Sequence, residues 1–299
     1  MISKNYIERP DWTLELPDKD IDLSKNVHYD DILNEKLKTL IKEKQKFIIN
    51  YANDYKLYKA ISDYYKIQIN KVAIGFGATD LIQRTIFSLD IKKLYIVKSA
   101  FMMVDVYCKM INLDHEFIDL EDLKDKKFDN KNAVYIANPN GVDGNCFDIS
   151  FLAEKFKFVI SDEVYSDFFD KFSLINLKSK NIIIIKSLSK SLGAAGLRVG
   201  FCHADISIIK EIQKLRMSQI ATSISSITVP EIIKMTPEVI SRMKESKIFL
   251  ENNYKCKQSH ANYVLFEQEN IYTKYFGCRK IGGYYRMALA DMKTLNLAK

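Results

Sequence analysis

Short apolar runs alternate with amphipathic stretches from residue 71 to about residue 202. The runs lie at 71–75, 93–97, 116–120, 133–137, 156–160 and 181–185, each about the length of a strand. The stretches between them carry apolar positions at helical spacing, and this alternation predicts a mostly parallel α/β sheet. Residues 182–185 are four consecutive isoleucines, too few to span a membrane and suited to a strand buried on both faces. Residues 198–202 supply a seventh strand, which would return antiparallel. Upstream, 33–48 and 55–66 read as helices. Downstream the alternation stops near 210, with helical patterns at 205–217 and 230–246, where Pro230 suits a helix start. Residues 1 to about 25, with Pro10 and Pro17 and no periodicity, read as an extended arm. The predicted division is an arm at 1–30, a large domain at 31–210 and a small domain at 211–299.

Composition narrows the class. The 299 residues, 47% hydrophobic and 12% aromatic, suffice for an ample core. Lys plus Arg outnumber Asp plus Glu by 45 to 38, a net charge of +7 spread along the chain. Its densest part, 36–46, keeps apolar positions at helical spacing and reads as a solvated helix face, so no nucleic-acid partner is expected. The five cysteines have neither CxxC pairing nor metal-ligand spacing, and no metal site is expected. With an odd count and no signal peptide, reduced thiols in a cytoplasmic protein are the expectation. No apolar run reaches membrane length.

Candidate chemistry concentrates where the isoleucine strand runs out. Ser187, Ser189 and Lys190 follow it, then a turn with Gly193 and Gly196, then Arg198. Desolvation at the end of a buried strand lowers an amine's pKa, and a neutral lysine can form a Schiff base with a carbonyl. A hydroxyl three residues before Lys190 and a guanidinium eight after it can hold one phosphate. Lysine, phosphate grip and tight turn together point to pyridoxal 5'-phosphate. Upstream, Gly77, Ala78 and Thr79 open a helix after a strand, a turn where unpaired N–H groups can meet a phosphate. Ser161-Asp162-Glu163-Val164-Tyr165 places an acidic pair at a strand end, where it needs a buried partner.

Ser187-Leu188-Ser189-Lys190 with Gly196-Leu197-Arg198-Val199-Gly200 resembles the lysine signature of the fold-type I (class I/II) aminotransferases. Within that superfamily it looks most like the histidinol-phosphate aminotransferase and threonine-phosphate decarboxylase branch. The resemblance covers about residues 21–290. It implies that Lys190 carries the cofactor and shuttles the α-proton, that Asp162 pairs with the pyridine nitrogen, and that Tyr165 bonds the phenolic oxygen. It implies a phosphate cradle from Gly77, Ala78, Thr79, Ser187, Ser189 and Arg198, with Phe101 stacked on the ring. Asn138-Pro139-Asn140-Gly141 resembles the family's N-P-N-N loop, but the asparagine expected to bond the phenolic oxygen aligns with Gly141, which leaves Asn140 or a water as substitutes.

The same resemblance implies a homodimer in which Tyr51 reaches the neighbour's cofactor phosphate. Asn26, in Asp22-Leu23-Ser24-Lys25-Asn26, becomes a substrate contact; the adjacent His28 is given no role. Arg286, in Gly283-Tyr284-Tyr285-Arg286, becomes the anchor for a substrate carboxylate or phosphate, with Arg279 a second candidate. The chain's last residue, Lys299, suggests a small domain abbreviated relative to most of the family. The implied activity is transamination of a small, phosphorylated amino acid or amino alcohol. Decarboxylation of an O-phospho-amino acid is the alternative, and an inactive binding protein on the same fold the less favoured one.

Overall fold

The computed structural model describes residues 20–298; the expected arm over residues 1–19, with Pro10 and Pro17, lies outside them. Helices α1 (Asp31–Lys44) and α2 (Asp54–Tyr65) come first. Asp30 caps α1, its carboxylate accepting from the Leu33 N–H at 2.8 Å. The large sheet follows as β1 (Val72–Phe76), β2 (Lys93–Val97), β3 (Asp114–Ile118), β4 (Ala133–Ala137), β5 (Phe158–Asp162), β6 (Ile182–Ser187) and β7 (Val199–His203). Interleaved with these strands are α3 (Ala78–Ser88), α4 (Met103–Met110), α5 (Asp122–Asp125) and α6 (Leu188–Ser191).

The seven strands stand in the order β1-β7-β6-β5-β4-β2-β3, parallel except for β7, which runs antiparallel to both neighbours. The isoleucine run divides between two faces. Ile183 and Ile185 join the core under α3 and α4, while Ile182 and Ile184 join the core beneath Leu152 and Leu174. Four apolar side chains in a row, alternating between two buried faces, are what a sheet covered on both sides requires.

Beyond the sheet lie α7 (Ile206–Lys214), α8 (Ser223–Ile232) and α9 (Thr236–Asn253). They are followed by β8 (Cys256–Lys257), β9 (Tyr263–Phe266), α10 (Ile271–Phe276), β10 (Arg279–Ile281), β11 (Tyr284–Ala288) and α11 (Met292–Leu295). The four strands form an antiparallel sheet ordered β10-β11-β9-β8. Val264, Phe266 and Met287 of this sheet share one core with Leu33 and Leu40 of α1, Leu57 and Ile61 of α2, and Val229 and Ile232 of α8.

Three expectations shift. The helix expected at 230–246 is two helices: α8 runs through Pro230, and α9 carries Pro237 in its first turn. Thr222 caps α8 upstream by accepting from the Ser225 N–H, and the proline falls in its last turn, where α8 ends two residues later. The strand expected at 116–120 begins two residues earlier, because it is an edge strand with Asp114, Glu116 and Phe117 exposed and its register is set by pairing with β2. The strand expected at 156–160 occupies Phe158–Asp162. Phe156 instead packs with Leu152 under the sheet, and Asp162 becomes the final strand residue, opposite Ala137 and Ile185.

Candidate active site

Gly77 follows β1, Asp162 ends β5, Ser187 ends β6 and Lys190 lies in α6, so all face the same edge of the sheet. A cleft of about 550 Å³ opens there, lined by Asp162, Ser187 and Lys190 among others. On its walls stand Asn26, Phe101, Gly141, Tyr165, Arg198, Arg279 and Arg286.

The phosphate-sized corner is shaped by two glycines. Gly77 has φ +80° and ψ 174°, a conformation that side chains avoid, and a Cβ there would lie 2.6 Å from the Arg198 guanidinium. On β7, a Cβ at Gly200 would lie 2.7 Å from both the Ala78 nitrogen and the Gly77 carbonyl carbon. Both positions let the turn, the strand and Arg198 crowd together. Gly77 provides no side chain to cap α3, so the N–H groups of the first turn face the cleft beside Ala78 and Thr79. The Ser187 hydroxyl accepts from the Ser189 N–H at 3.2 Å, which holds both serines at the same corner.

Lys190 is partly open to the cleft. Its Nζ donates to the Asn26 carbonyl at 2.9 Å and lies 5.7 Å from the centre of the Tyr165 ring. Desolvation, then the Arg286 charge, lower its pKa to about 8, with Asp162 acting in the opposite direction. Asp162 is buried, and burial raises its pKa to about 6, although Tyr135 donates to its Oδ2 at 2.6 Å and the Val164 N–H to its Oδ1 at 3.3 Å. A buried carboxylate held by neutral donors alone is suited to a cationic partner in the cleft. Burial also pushes up the pKa of Tyr165, whose hydroxyl accepts from Asn26 Nδ2 at 3.0 Å.

Asn26 therefore works on both sides, its amide toward Tyr165 and its carbonyl toward Lys190. Its φ of +55° turns it inward, and Asn262 Nδ2 donates to the same carbonyl at 3.1 Å. Asn26 Oδ1 is buried without a partner. Asn140 does not line the cleft. Its Oδ1 accepts from the N–H groups of Val142 and Asp143, and its Nδ2 donates to Asp143 at 2.5 Å, so the side chain closes its own turn. The Gly141 position lies against Tyr165, with the site of a Cβ 3.6 Å from the hydroxyl oxygen. Asn26, not Asn140, presents the amide to that hydroxyl.

At the outer wall, β10 and β11 pair Arg279 with Arg286. Arg286 is buried, donates to the Gly141 carbonyl at 2.6 Å and lies over the Tyr263 ring, while its Nε has no partner. Burial lowers its pKa. Tyr51 does not line this cleft and is 86% exposed on the segment after α1. Two supporting residues escaped the sequence reading: Tyr135 and Asn262. The first had a signal in the alternation of β4, which puts Tyr135 on the face of Ala133 toward α3 and α4. Asn262 stands directly before β9 and meets Asn26 across 236 residues, so no local pattern marks it.

The family model described as aminotransferase class I and II matches residues 18–260. The chain belongs to that family. Among curated proteins, the class I and II aminotransferase is 28% identical over 246 residues to the histidinol-phosphate aminotransferase of Buchnera aphidicola subsp. Cinara cedri (strain Cc), covering 71% of this chain and 69% of the relative. It is 25% identical over 282 residues to that of Clostridium beijerinckii, with 79% and 76% covered. The crystal structure of the histidinol-phosphate aminotransferase from Clostridium acetobutylicum superposes with a TM-score of 0.74 at 21% identity, covering 93% of this chain and 96% of that one. The Sinorhizobium meliloti enzyme in complex with pyridoxal-5'-phosphate gives 0.73 at 14%, covering 94% and 89%. These likenesses establish the fold-type I architecture, and the family membership makes this a pyridoxal-phosphate-dependent aminotransferase. Among the described residues no helix is long and apolar enough to cross a membrane.

Proposed function

We propose that this aminotransferase acts on a small amino compound bearing a phosphate, with histidinol phosphate the first substrate to test. The observation that carries the reading is the pair of cationic ends in one cleft. Arg198 with the α3 N-terminus stands at one end, and Arg286 with Arg279 at the other, with Lys190 between them. The first end would hold the cofactor phosphate through Ala78, Thr79, Ser187, Ser189 and Arg198, and the second a substrate anion. The curated relatives named above support the choice of substrate.

The open α3 terminus, the close approach at Gly200 and the cation-seeking Asp162 fit pyridoxal phosphate. Asp162 would face its ring nitrogen, Tyr165 its phenolic oxygen and Phe101 its ring face. When bound, the cofactor supplies an electron sink for the pair released at the substrate Cα. Lys190, its amine neutral in a useful fraction near pH 8, takes the Cα proton and returns it. Arg286 orients the substrate by a bidentate grip on its carboxylate or phosphate, which sets the Cα–H bond toward Lys190. Asn26 restrains Lys190 and Tyr165 together from the arm side.

We further propose a division into an arm at 1–30, a large domain at 31–210 and a small one at 211–299. The assembly would be a cytoplasmic homodimer in which Tyr51 serves the neighbouring site. The deciding experiment incubates the cofactor-loaded protein with histidinol phosphate or O-phospho-L-threonine, with and without 2-oxoglutarate. Glutamate formed only in the presence of 2-oxoglutarate is expected. Carbon dioxide released without it would replace transamination by decarboxylation.

A further inference from the structure

A second cavity, of about 460 Å³, lies at the opposite edge of the large sheet, where β6 begins, β7 ends and residues 66–71 lead into β1. It shares no lining residue with the catalytic cleft. β6 runs from one to the other, with Ile182 and Ile184 lining this cavity and Ser187 lining the cleft.

Its walls carry Lys66, Lys71, Lys178 and Lys180. Among the described residues none of the four forms a salt bridge. Several lysines elsewhere around the large sheet do: Lys93 with Glu116, Lys98 with Asp119, Lys109 with Asp105, Lys124 with Glu121. Among the described residues the only carboxylate lining the cavity is Asp205, and it caps α7, accepting from the Ser207 N–H at 3.1 Å and hydroxyl at 2.7 Å. Those bonds, then the charges of Lys180 and Lys71, hold its pKa down. His203 closes one side, its Nδ1 3.2 Å from the Lys71 carbonyl, and burial lowers its pKa.

The loop that presents Lys178 and Lys180 is pinned at both ends. Glu163 accepts from the Leu174 N–H at 2.8 Å, and Asn181 Nδ2 donates to the carbonyls of Ala153 and Phe156, both at 2.8 Å. The lysine stems thus start from fixed backbone. The floor is apolar, with Leu174, Ile182 and Ile184, and Gln68, Asn176 and Ser179 add neutral polar groups. Four ammonium groups held around a concave apolar floor against a single carboxylate, Asp205, leave a net positive field that raises the local concentration of anions. The volume is that of a small-molecule site.

We propose that this cavity is a second binding site, for a small organic polyanion carrying two or more phosphate groups. A monoanion would leave most of the positive field unanswered. An inorganic polyphosphate would leave the apolar floor empty, whereas a nucleoside di- or triphosphate matches both surfaces. Lys178 and Lys180 grip the phosphates from one wall, Lys66 and Lys71 from the other, and the organic part lies over Ile182 and Ile184.

The test uses the cofactor-loaded protein, titrated calorimetrically with ATP and separately with pyrophosphate at about 0.15 M salt, where weak surface attraction is largely screened. Saturable ATP binding is expected, tighter than pyrophosphate, and weakened about tenfold or more in K178E/K180E. The double variant K124E/K126E, which reverses exposed lysines outside the cavity, is expected to bind ATP like the parent. In the unmodified protein, ATP is also expected to protect Lys178 and Lys180 from acylation, read by mass spectrometry. The proposal is overturned by no saturable binding, by pyrophosphate matching ATP, or by equal weakening in both double variants. Unprotected Lys178 and Lys180 at saturating ATP would overturn it as well.

Discussion

Lys190 shows how position tunes a single side chain. Its amine sits between two guanidinium groups and one carboxylate, and desolvation with the Arg286 charge outweighs Asp162, giving a pKa of about 8 against 10.5 for a free lysine. In the cofactor-free protein the neutral fraction should therefore rise about tenfold between pH 7 and pH 9, while exposed lysines stay almost wholly charged at pH 7. The acylation rate of Lys190, followed by mass spectrometry of the cofactor-free protein, is expected to level off above pH 9. A rate still climbing in parallel with the surface lysines at pH 10 would refute the lowered pKa. The shift also has a stability sign. The folded pKa lies below the unfolded one, so the unfolded chain binds the extra proton. Lys190 therefore disfavours folding most below pH 8, and that cost disappears as pH rises through the unfolded value.

At the scale of elements, the decisive contact is β7 against the turn that opens α3. Gly200 stands where a Cβ would lie 2.7 Å from two backbone atoms of that turn and 3.0 Å from the Lys186 carbonyl, and none of the three can swing aside as a side chain could. Gly200→Ala must push the turn away from β7, and overpacking of this kind costs about 1–3 kcal/mol. A lowered melting temperature and a weaker titration with pyridoxal phosphate are expected together. Unchanged values for both would show that the turn has room to spare. The centre and the edge of the large sheet have different strand chemistry. The central parallel strands are apolar on both faces and were visible as runs, whereas β3 at the edge alternates exposed polar residues and was displaced by two positions in the sequence reading.

At the scale of the whole molecule, the segment after α1 and its neighbourhood leave Ile48, Ile49, Tyr51, Tyr55 and Met217 exposed, Ile49 by 90%. Exposed apolar side chains gathered on one segment call for a covering surface, and a second copy related by a two-fold axis is the partner proposed above. Mixing Tyr51→Ala protein with Lys190→Ala protein is expected to restore part of the activity, because a hybrid dimer holds one site with both defects and one with neither. Light scattering that finds only monomers, or mixtures as inactive as the parents, would remove the shared-site arrangement.

The sequence by itself determined the strand runs of the large sheet and the Lys190, Asp162 and Arg198 motifs. Each is encoded locally, in a run of isoleucines, a strand-end acid or a glycine before a helix, so neighbouring residues suffice to read it. The tertiary structure decided which groups meet. Asn26 reaches Tyr165 from 139 residues away and Lys190 from 164, and Tyr135 reaches Asp162 because β4 and β5 are adjacent in register. The resemblance offers Asn140 or a water for the phenolic oxygen, yet the short Asn140 amide bonds the N–H groups two and three residues on, a local competition that a motif does not reveal. The four lysines of the second cavity come from three separate segments, 66, 71 and 178–180. Only the crossing of β1, β6 and β7 gathers their charges at one edge of the sheet.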